Sequence, residues 1–189
     1  VTDTDGRLVE QRTATIPVVV SFPNQEMPDE GFPLVMYFHG SGGVSTQVID
    51  RGPRPPGGSN AIGEGPAHVL AALGMGTAGS AHPVNPERLP GANAISYLNL
   101  SNLTAFRDTF RQGVIEQRLY LDALLELRVR PDVVSACDGL TLPDGADAFF
   151  FDPEPVMAMG QSMGAMYANM IVPLEPRIQA MAPTGAGGF

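Results

Sequence analysis

The stretch Pro155–Ala165, with the sequence PVMAMGQSMGA, constrains the chain more than any other. Its apolar run Val156–Met159 predicts a short buried strand, and a helical run follows from Ala165 to Ile171. Between them lies Ser162, with a glycine two positions away on each side. A serine in such a strand–turn–helix segment is typical of a nucleophile elbow, whose strained turn presents the hydroxyl at the end of a sheet. The helix N-terminus behind it favours developing negative charge. The sequence therefore predicts Ser162 as a catalytic nucleophile.

The order of apolar and periodic segments predicts an α/β fold. Strands are predicted at Thr13–Phe22, Pro33–Phe38, Met75–Ala81, Val156–Met159 and Ile178–Pro183. Helices are predicted at Pro66–Leu73, Asn102–Arg130 and Ala165–Ile171, with irregular loops at Val44–Gly65 and Asp132–Asp152. Continuous apolar strands alternating with helices indicate a mostly parallel sheet flanked by helices on both faces. Pro17 places the first strand at an edge, because proline cannot donate to a sheet ladder.

Composition narrows the class of protein. The 189 residues, 43% of them hydrophobic, can form a single globular domain over residues 1–189. A net charge of −9 argues against a nucleic-acid partner or an anionic membrane surface. No run is long and apolar enough to span a membrane. Cys137 is the sole cysteine, so no disulfide can form within the chain.

A second motif follows the predicted strand Pro33–Phe38. It is the glycine-rich run HGSGG, which begins at His39. Acyl transfer through a serine needs backbone N–H donors aimed at the tetrahedral oxyanion. The N–H of Met163 is one natural donor, and the glycine-rich loop can turn a second one inward, for which Ser41 is favoured and Gly42 comes next. This chemistry needs no metal and no organic cofactor.

Together, the HGSGG and GQSMG motifs resemble the α/β-hydrolase superfamily on its esterase and lipase side. The resemblance extends over the order of elements along nearly the whole chain. It implies a serine hydrolase that cleaves small or lipid-like carboxylic esters through an acyl-enzyme on Ser162. It also implies that His39 is a structural anchor. Four residues are candidates to line the site, namely His39, Gly40, His82 and Gln161.

One departure from the family pattern matters as much as the match. In that family the catalytic acid and histidine follow the serine in the chain. After Ser162 the only acidic residue is Glu175, which lies before a strand rather than after a later one, and there is no histidine. We therefore expect the acid and the base on a further polypeptide segment, which would complete the sheet. Either the enzyme is cleaved into two associated chains or the sequence is a shortened one. The upstream His82 as general base is a minor alternative, because the family's chain order would be broken.

Other activities of the same fold stay open. They are those of a lipase, thioesterase, polyester depolymerase, acyltransferase or peptidase. A different class is a non-catalytic binding or assembly subunit, although a retired site has no need to keep the serine and the oxyanion glycines together. The absence of an initiating methionine indicates a processed or trimmed product, and a periplasmic or extracellular protein is slightly favoured.

Overall fold

A computed structural model describes residues 3–187 of the chain. The strands are β1 (Val18–Ser21), β2 (Phe32–Phe38), β3 (Gly76–Ser80), β4 (Phe151–Gln161) and β5 (Ile178–Thr184). The helices are α1 (Gln47–Asp50), α2 (Pro66–Ala71), α3 (Leu103–Glu126) and α4 (Met163–Ile171). Single 3-10 turns occur at Ser96–Leu98, Pro131–Val134 and Val172–Leu174.

The five strands form one sheet in the order β1-β3-β2-β4-β5. β1 is antiparallel to β3, and all other neighbours are parallel. The predicted α/β class with a mostly parallel, helix-flanked sheet is thus confirmed. β1 is an edge strand directly after Pro17, as the proline predicts. Because β2 and β4 are parallel neighbours, with Phe38 opposite Gly160, the segments that follow them meet at one edge of the sheet.

Alternation along β2 divides the core into two layers. Leu34, Met36 and Phe38 face α3 and α4, where they belong to the larger apolar cluster with Leu121 and Tyr167. The intervening side chain of Tyr37 faces α1 and α2, in a smaller cluster with Val48 and Ala67. A strand buried on both faces is what a continuous apolar run predicts.

The strand before Ser162 is longer than predicted. The predicted run Val156–Met159 lies inside β4, which begins at Phe151. Opposite β2 the register shifts between Pro33 and Leu34, whose partners are Asp152 and Val156. The residues between those two partners include two prolines, which have no N–H to donate, so they lie in the irregularity rather than in the ladder.

Two other boundaries also differ from prediction. β1 occupies only the end of the predicted Thr13–Phe22 strand. α3 ends at Glu126, before Pro131, because Val129 forms an isolated antiparallel bridge with Phe149 that requires extended backbone. At its start the prediction of Asn102–Arg130 is accurate to one residue, and the Asn102 side chain accepts a hydrogen bond from the Ala105 N–H over 3.2 Å.

We expect Leu121→Ala to lower the free energy of unfolding by about 2–5 kcal/mol, because its side chain is removed from a closed core. The exposed fraction of Leu121 is 0%, whereas Leu119 on the same helix is 63% exposed and provides the matched control. Leu119→Ala should change the unfolding free energy by less than about 0.5 kcal/mol. Urea unfolding followed by circular dichroism measures both. Equal losses in the two variants would show that α3 does not pack as described.

Candidate active site

Ser162 occupies a sharp turn between β4 and α4. Its φ of 53° and ψ of −118° lie outside the regions that non-glycine residues normally adopt. Backbone hydrogen bonds hold this conformation. The Ser162 N–H donates to the Thr184 carbonyl over 2.8 Å, and the Ser162 carbonyl accepts from the Ala165 N–H over 2.9 Å. The Ser162 side chain forms no hydrogen bond with any residue that the structure describes, so its hydroxyl is not used as a helix cap. The turn has the shape of the predicted elbow.

Gly164 explains why the elbow can lie so close to the sheet. A Cβ built on Gly164 would collide with the carbonyl oxygen of Phe38 at the end of β2. A collision with backbone cannot be relieved by rotating a side chain. Glycine at this position therefore lets the first turn of α4 approach the end of β2, as the predicted elbow requires.

The loop that follows β2 lies beside this turn. Its Gly42 has a φ of +69°, and a Cβ there would lie 2.8 Å from the Cβ of Ala94. The loop closes with a hydrogen bond from the Gly43 N–H to the Gly40 carbonyl over 2.9 Å. Within residues 3–187, the N–H groups of Ser41, Gly42 and Met163 donate no hydrogen bond. The three predicted oxyanion donors are therefore free at the same edge of the sheet.

His39 is buried and holds the glycine-rich loop from inside. Its Nε2 accepts a hydrogen bond from the His82 N–H over 3.1 Å, so Nδ1 carries the proton and donates to the Gly40 carbonyl over 2.8 Å. Burial lowers the pKa of His39, which favours this neutral form. The geometry is that of an anchor for the loop.

Four residues outside the motifs complete the support of this loop. Asn85 donates from Nδ2 to the Gly43 carbonyl over 2.6 Å. Gln47 accepts from the Gly40 N–H over 3.1 Å, and Glu87 accepts from the Ser45 N–H over 2.6 Å. Tyr97 accepts from the Ser41 hydroxyl over 2.8 Å. Sequence reasoning missed all four, because they are polar residues in segments without a motif.

His82 is enclosed in the protein interior and is not exposed beside Ser162. Its ring lies 4.4 Å from that of His39 and stacks on Tyr167 at 4.4 Å, measured between ring centroids. Neither ring nitrogen has a hydrogen-bond partner among the described residues. Burial, with the neighbouring His39 and the charge of Arg88, lowers the pKa of His82 well below its usual value. These properties argue against His82 as the general base.

In the described part of the chain, neither His68 nor Glu175 forms a hydrogen bond with Ser162. His68 is exposed on α2. Glu175 precedes β5, so it lies at the opposite edge of the sheet from Ser162. Its buried carboxylate pairs with Arg177 and Arg118. Mainly because Arg177 donates hydrogen bonds to this carboxylate, the pKa of Glu175 is held at about 2. Glu175 thus belongs to a structural ion-pair network.

Gln161 lines a cavity next to the elbow. The cavity has a volume of about 710 Å³ and is also lined by Ser41, Gly42, Arg51 and Thr184. The Gln161 side chain accepts a hydrogen bond from Arg51 Nη1 over 2.6 Å. Of the predicted site-lining residues, Gln161 therefore faces an open space, whereas His39 and His82 are buried.

Among the residues the structure describes, no group of three His, Cys, Asp or Glu side chains could hold a metal ion. No helix in the described part of the chain is both long and apolar enough to cross a bilayer.

The serine turn lies between an interior strand of the mostly parallel sheet and a helix, which is the arrangement of a nucleophile elbow. No protein-family model matches the sequence, and no curated protein matches it significantly. One similar solved structure is Est1E from Butyrivibrio proteoclasticus with bound ferulic acid, at 14% identity and a TM-score of 0.46, covering 90% of this chain and 49% of that one. Another is DcsB in complex with its substrate analogue, at 12% identity and a TM-score of 0.44, covering 88% and 45%. The chain spans about half the length of these structures.

We expect His82→Phe to reduce the acid sensitivity of the fold. The pKa of His82 is lower in the folded protein than its usual value of about 6.5 in an unfolded chain. Between these two values the unfolded chain binds a proton that the folded protein does not, so stability falls as the pH is lowered through this window. Phenylalanine keeps a ring between His39 and Tyr167 and removes the proton.

Unfolding free energies at pH 7 and pH 5 provide the measurement, with His68→Phe on the surface as control. His82→Phe should lose less stability on acidification than the wild type and the control. Some loss should persist because His39 remains. An acid-induced loss equal to that of the wild type would refute a neutral, enclosed His82.

Proposed function

We propose that the chain carries the nucleophile and the oxyanion donors of a serine hydrolase that cleaves carboxylic esters. The observation that carries this proposal is the strained turn at Ser162. Among residues 3–187, its hydroxyl and the nearby N–H groups of Ser41, Gly42 and Met163 have no hydrogen-bond partner. Residues held in sparsely populated backbone conformations cluster at active sites and ligand-binding sites. In this proposal residues 1–189 form the nucleophile-bearing portion of one α/β-hydrolase domain.

The proposed reaction has two acyl-transfer steps. Ser162 Oγ attacks the ester carbonyl carbon and gives its proton to a histidine, while the carbonyl π electrons move onto oxygen. The N–H of Met163 and that of Ser41 or Gly42 donate to this oxyanion. When the tetrahedral intermediate collapses, the C–O bond to the alcohol breaks and the histidine protonates the alcohol. Water, deprotonated by the same histidine, then attacks the acyl-enzyme, and Ser162 regains its proton as the acid leaves.

The histidine and its orienting acid are proposed to come from a polypeptide segment beyond these 189 residues. Two observations support such a segment. No described histidine bonds to Ser162, and β5 pairs with β4 on one side only, leaving most of its side chains exposed, including Met181 at 44%. An unpaired edge strand is a template for a further strand. A parallel neighbour of β5 would bring its carboxyl end to the edge that holds Ser162.

Ser162→Ala should abolish ester hydrolysis, with a loss of at least about 10³-fold in kcat, because no other group can form the acyl-enzyme. Labelling by a fluorophosphonate probe should disappear as well. Ser135→Ala, at an exposed serine after the turn Pro131–Val134, is the matched control and should keep both properties. Turnover of p-nitrophenyl esters and mass-spectrometric mapping of the labelled peptide are the measurements. Undiminished turnover in Ser162→Ala would refute the proposal.

The proposed further segment has its own test. An active preparation, analysed by denaturing mass spectrometry, should contain sequence beyond residues 1–189, in the same or a second polypeptide, with at least one histidine. Replacing the catalytic histidine of that segment by alanine should reduce kcat about as much as Ser162→Ala, since serine and base act as a unit. Ser162-dependent turnover by residues 1–189 alone would contradict it.

A further inference from the structure

The cavity beside the elbow carries unbalanced positive charge. Its lining includes Arg51 and Arg54 but only one carboxylate, that of Asp50. Neither arginine forms an ion pair with any residue that the structure describes. Ion pairs do form at six other arginines, namely Arg88, Arg107, Arg111, Arg118, Arg130 and Arg177. Arg7, Arg12 and Arg128 also form no ion pair with a described residue, but they do not line the cavity. Two arginines without an ion pair thus line a cavity that a small molecule could enter.

Arg51 contacts the residue that precedes Ser162. Its Nη1 donates to the neutral side-chain oxygen of Gln161 over 2.6 Å, and Gln161 directly precedes Ser162 in the chain. A bond to a neutral amide leaves the guanidinium charge uncompensated and the other N–H donors available. Arg54 donates a hydrogen bond from Nε to the Gly58 carbonyl over 2.8 Å. Both arginines are exposed residues, and neither forms an ion pair within the described chain that a ligand would first have to break.

The positive charge of the cavity contrasts with the negative charge of the whole protein. At a net charge of −9 the protein as a whole repels anions. A neutral substrate would gain nothing from two unpaired arginines in the cavity that Gln161 lines. An anionic substrate would gain a charge-assisted hydrogen bond from a guanidinium, whose planar fork fits a carboxylate with two parallel bonds.

We propose that this cavity selects esters that carry a second, free carboxylate, and that Arg51 binds this carboxylate, with Arg54 adding to the local positive charge. This inference rests on the proposed function of Ser162, because it names the substrate class of the same site. Arg51 is then a residue that determines specificity, and the substrate class is the half-esters of dicarboxylic acids and their relatives.

The test compares two esters of equal chain length, the p-nitrophenyl monoester of adipic acid and p-nitrophenyl hexanoate, with enzyme-free hydrolysis subtracted. The complete protein, with any segment that stays bound to it, is used. We expect kcat/KM to be about tenfold higher for the adipate monoester, an effect of the size of a partly solvated charge-assisted bond. The preference should shrink as the ionic strength rises from about 50 mM to about 500 mM.

Arg51→Gln should bring the ratio of the two kcat/KM values close to one, because the amide still hydrogen-bonds but carries no charge. Using the ratio cancels any general effect of the substitution on the elbow. Arg107→Gln, on the exposed face of α3, is the matched control and should leave the ratio unchanged. Arg54→Gln should lower the ratio by a smaller factor.

Failures of the two proposals can be told apart. Equal kcat/KM values for both esters in the wild type, or a preference that survives in Arg51→Gln, would overturn the carboxylate selection while leaving Ser162 as the nucleophile. If neither ester is hydrolysed and Ser162 is not labelled by fluorophosphonate, the proposed function fails, and the substrate class fails with it.

Discussion

The close approach of two backbones at the end of β2 is the constraint on which the rest of this structure depends. Gly164 packs on the carbonyl of Phe38, and Phe38 lies opposite Gly160 in the register of β2 with β4. This contact fixes where α4 begins and so imposes the strained turn at Ser162. Such a conformation costs of order 1–3 kcal/mol and persists only when its surroundings determine it. Here the hydrogen bond to Thr184 of β5 and the first turn of α4 hold it from both sides.

Structural features that depend on a short run of neighbouring residues could be predicted from the sequence. The continuous apolar run Pro33–Phe38 predicted β2, and the strand–turn–helix pattern around Ser162 predicted the elbow, because both depend on neighbouring residues. Boundaries were less accurate where a contact distant in sequence decided them. α3 ends before Pro131 because Val129 pairs with Phe149, a partner that periodicity does not reveal. The start of β4 was also missed. The two prolines before Val156 argue against a strand, whereas pairing with β2 places Phe151 and Asp152 in the sheet.

The support of the glycine-rich loop could not be predicted, because it comes from single polar residues brought in by the fold. Asn85 and Glu87 lie in a segment without motif or periodicity, yet both fix backbone atoms of the loop. The position of Arg51 near the elbow likewise follows only from its contact with Gln161, which is 110 positions away in the chain. Short motifs identify the atoms that could react. The residues that orient those atoms, and that set the charge around them, appear only once the strands are placed.

The two buried histidines, His39 and His82, have surroundings that suit a structural role and not that of a general base. A general base must take a proton near neutral pH, and burial opposes a charged imidazole. Both ring nitrogens of His39 are hydrogen-bonded to backbone groups. The ring of His82 contacts that of His39 and stacks on that of Tyr167, and its nitrogens have no hydrogen-bond partner among the described residues. Both are suited to remain neutral and to shape the loop and the core. The hydroxyl of Ser162 forms no hydrogen bond with a described side chain. In the proposed reaction, its base would therefore have to approach from the side where β5 exposes its edge.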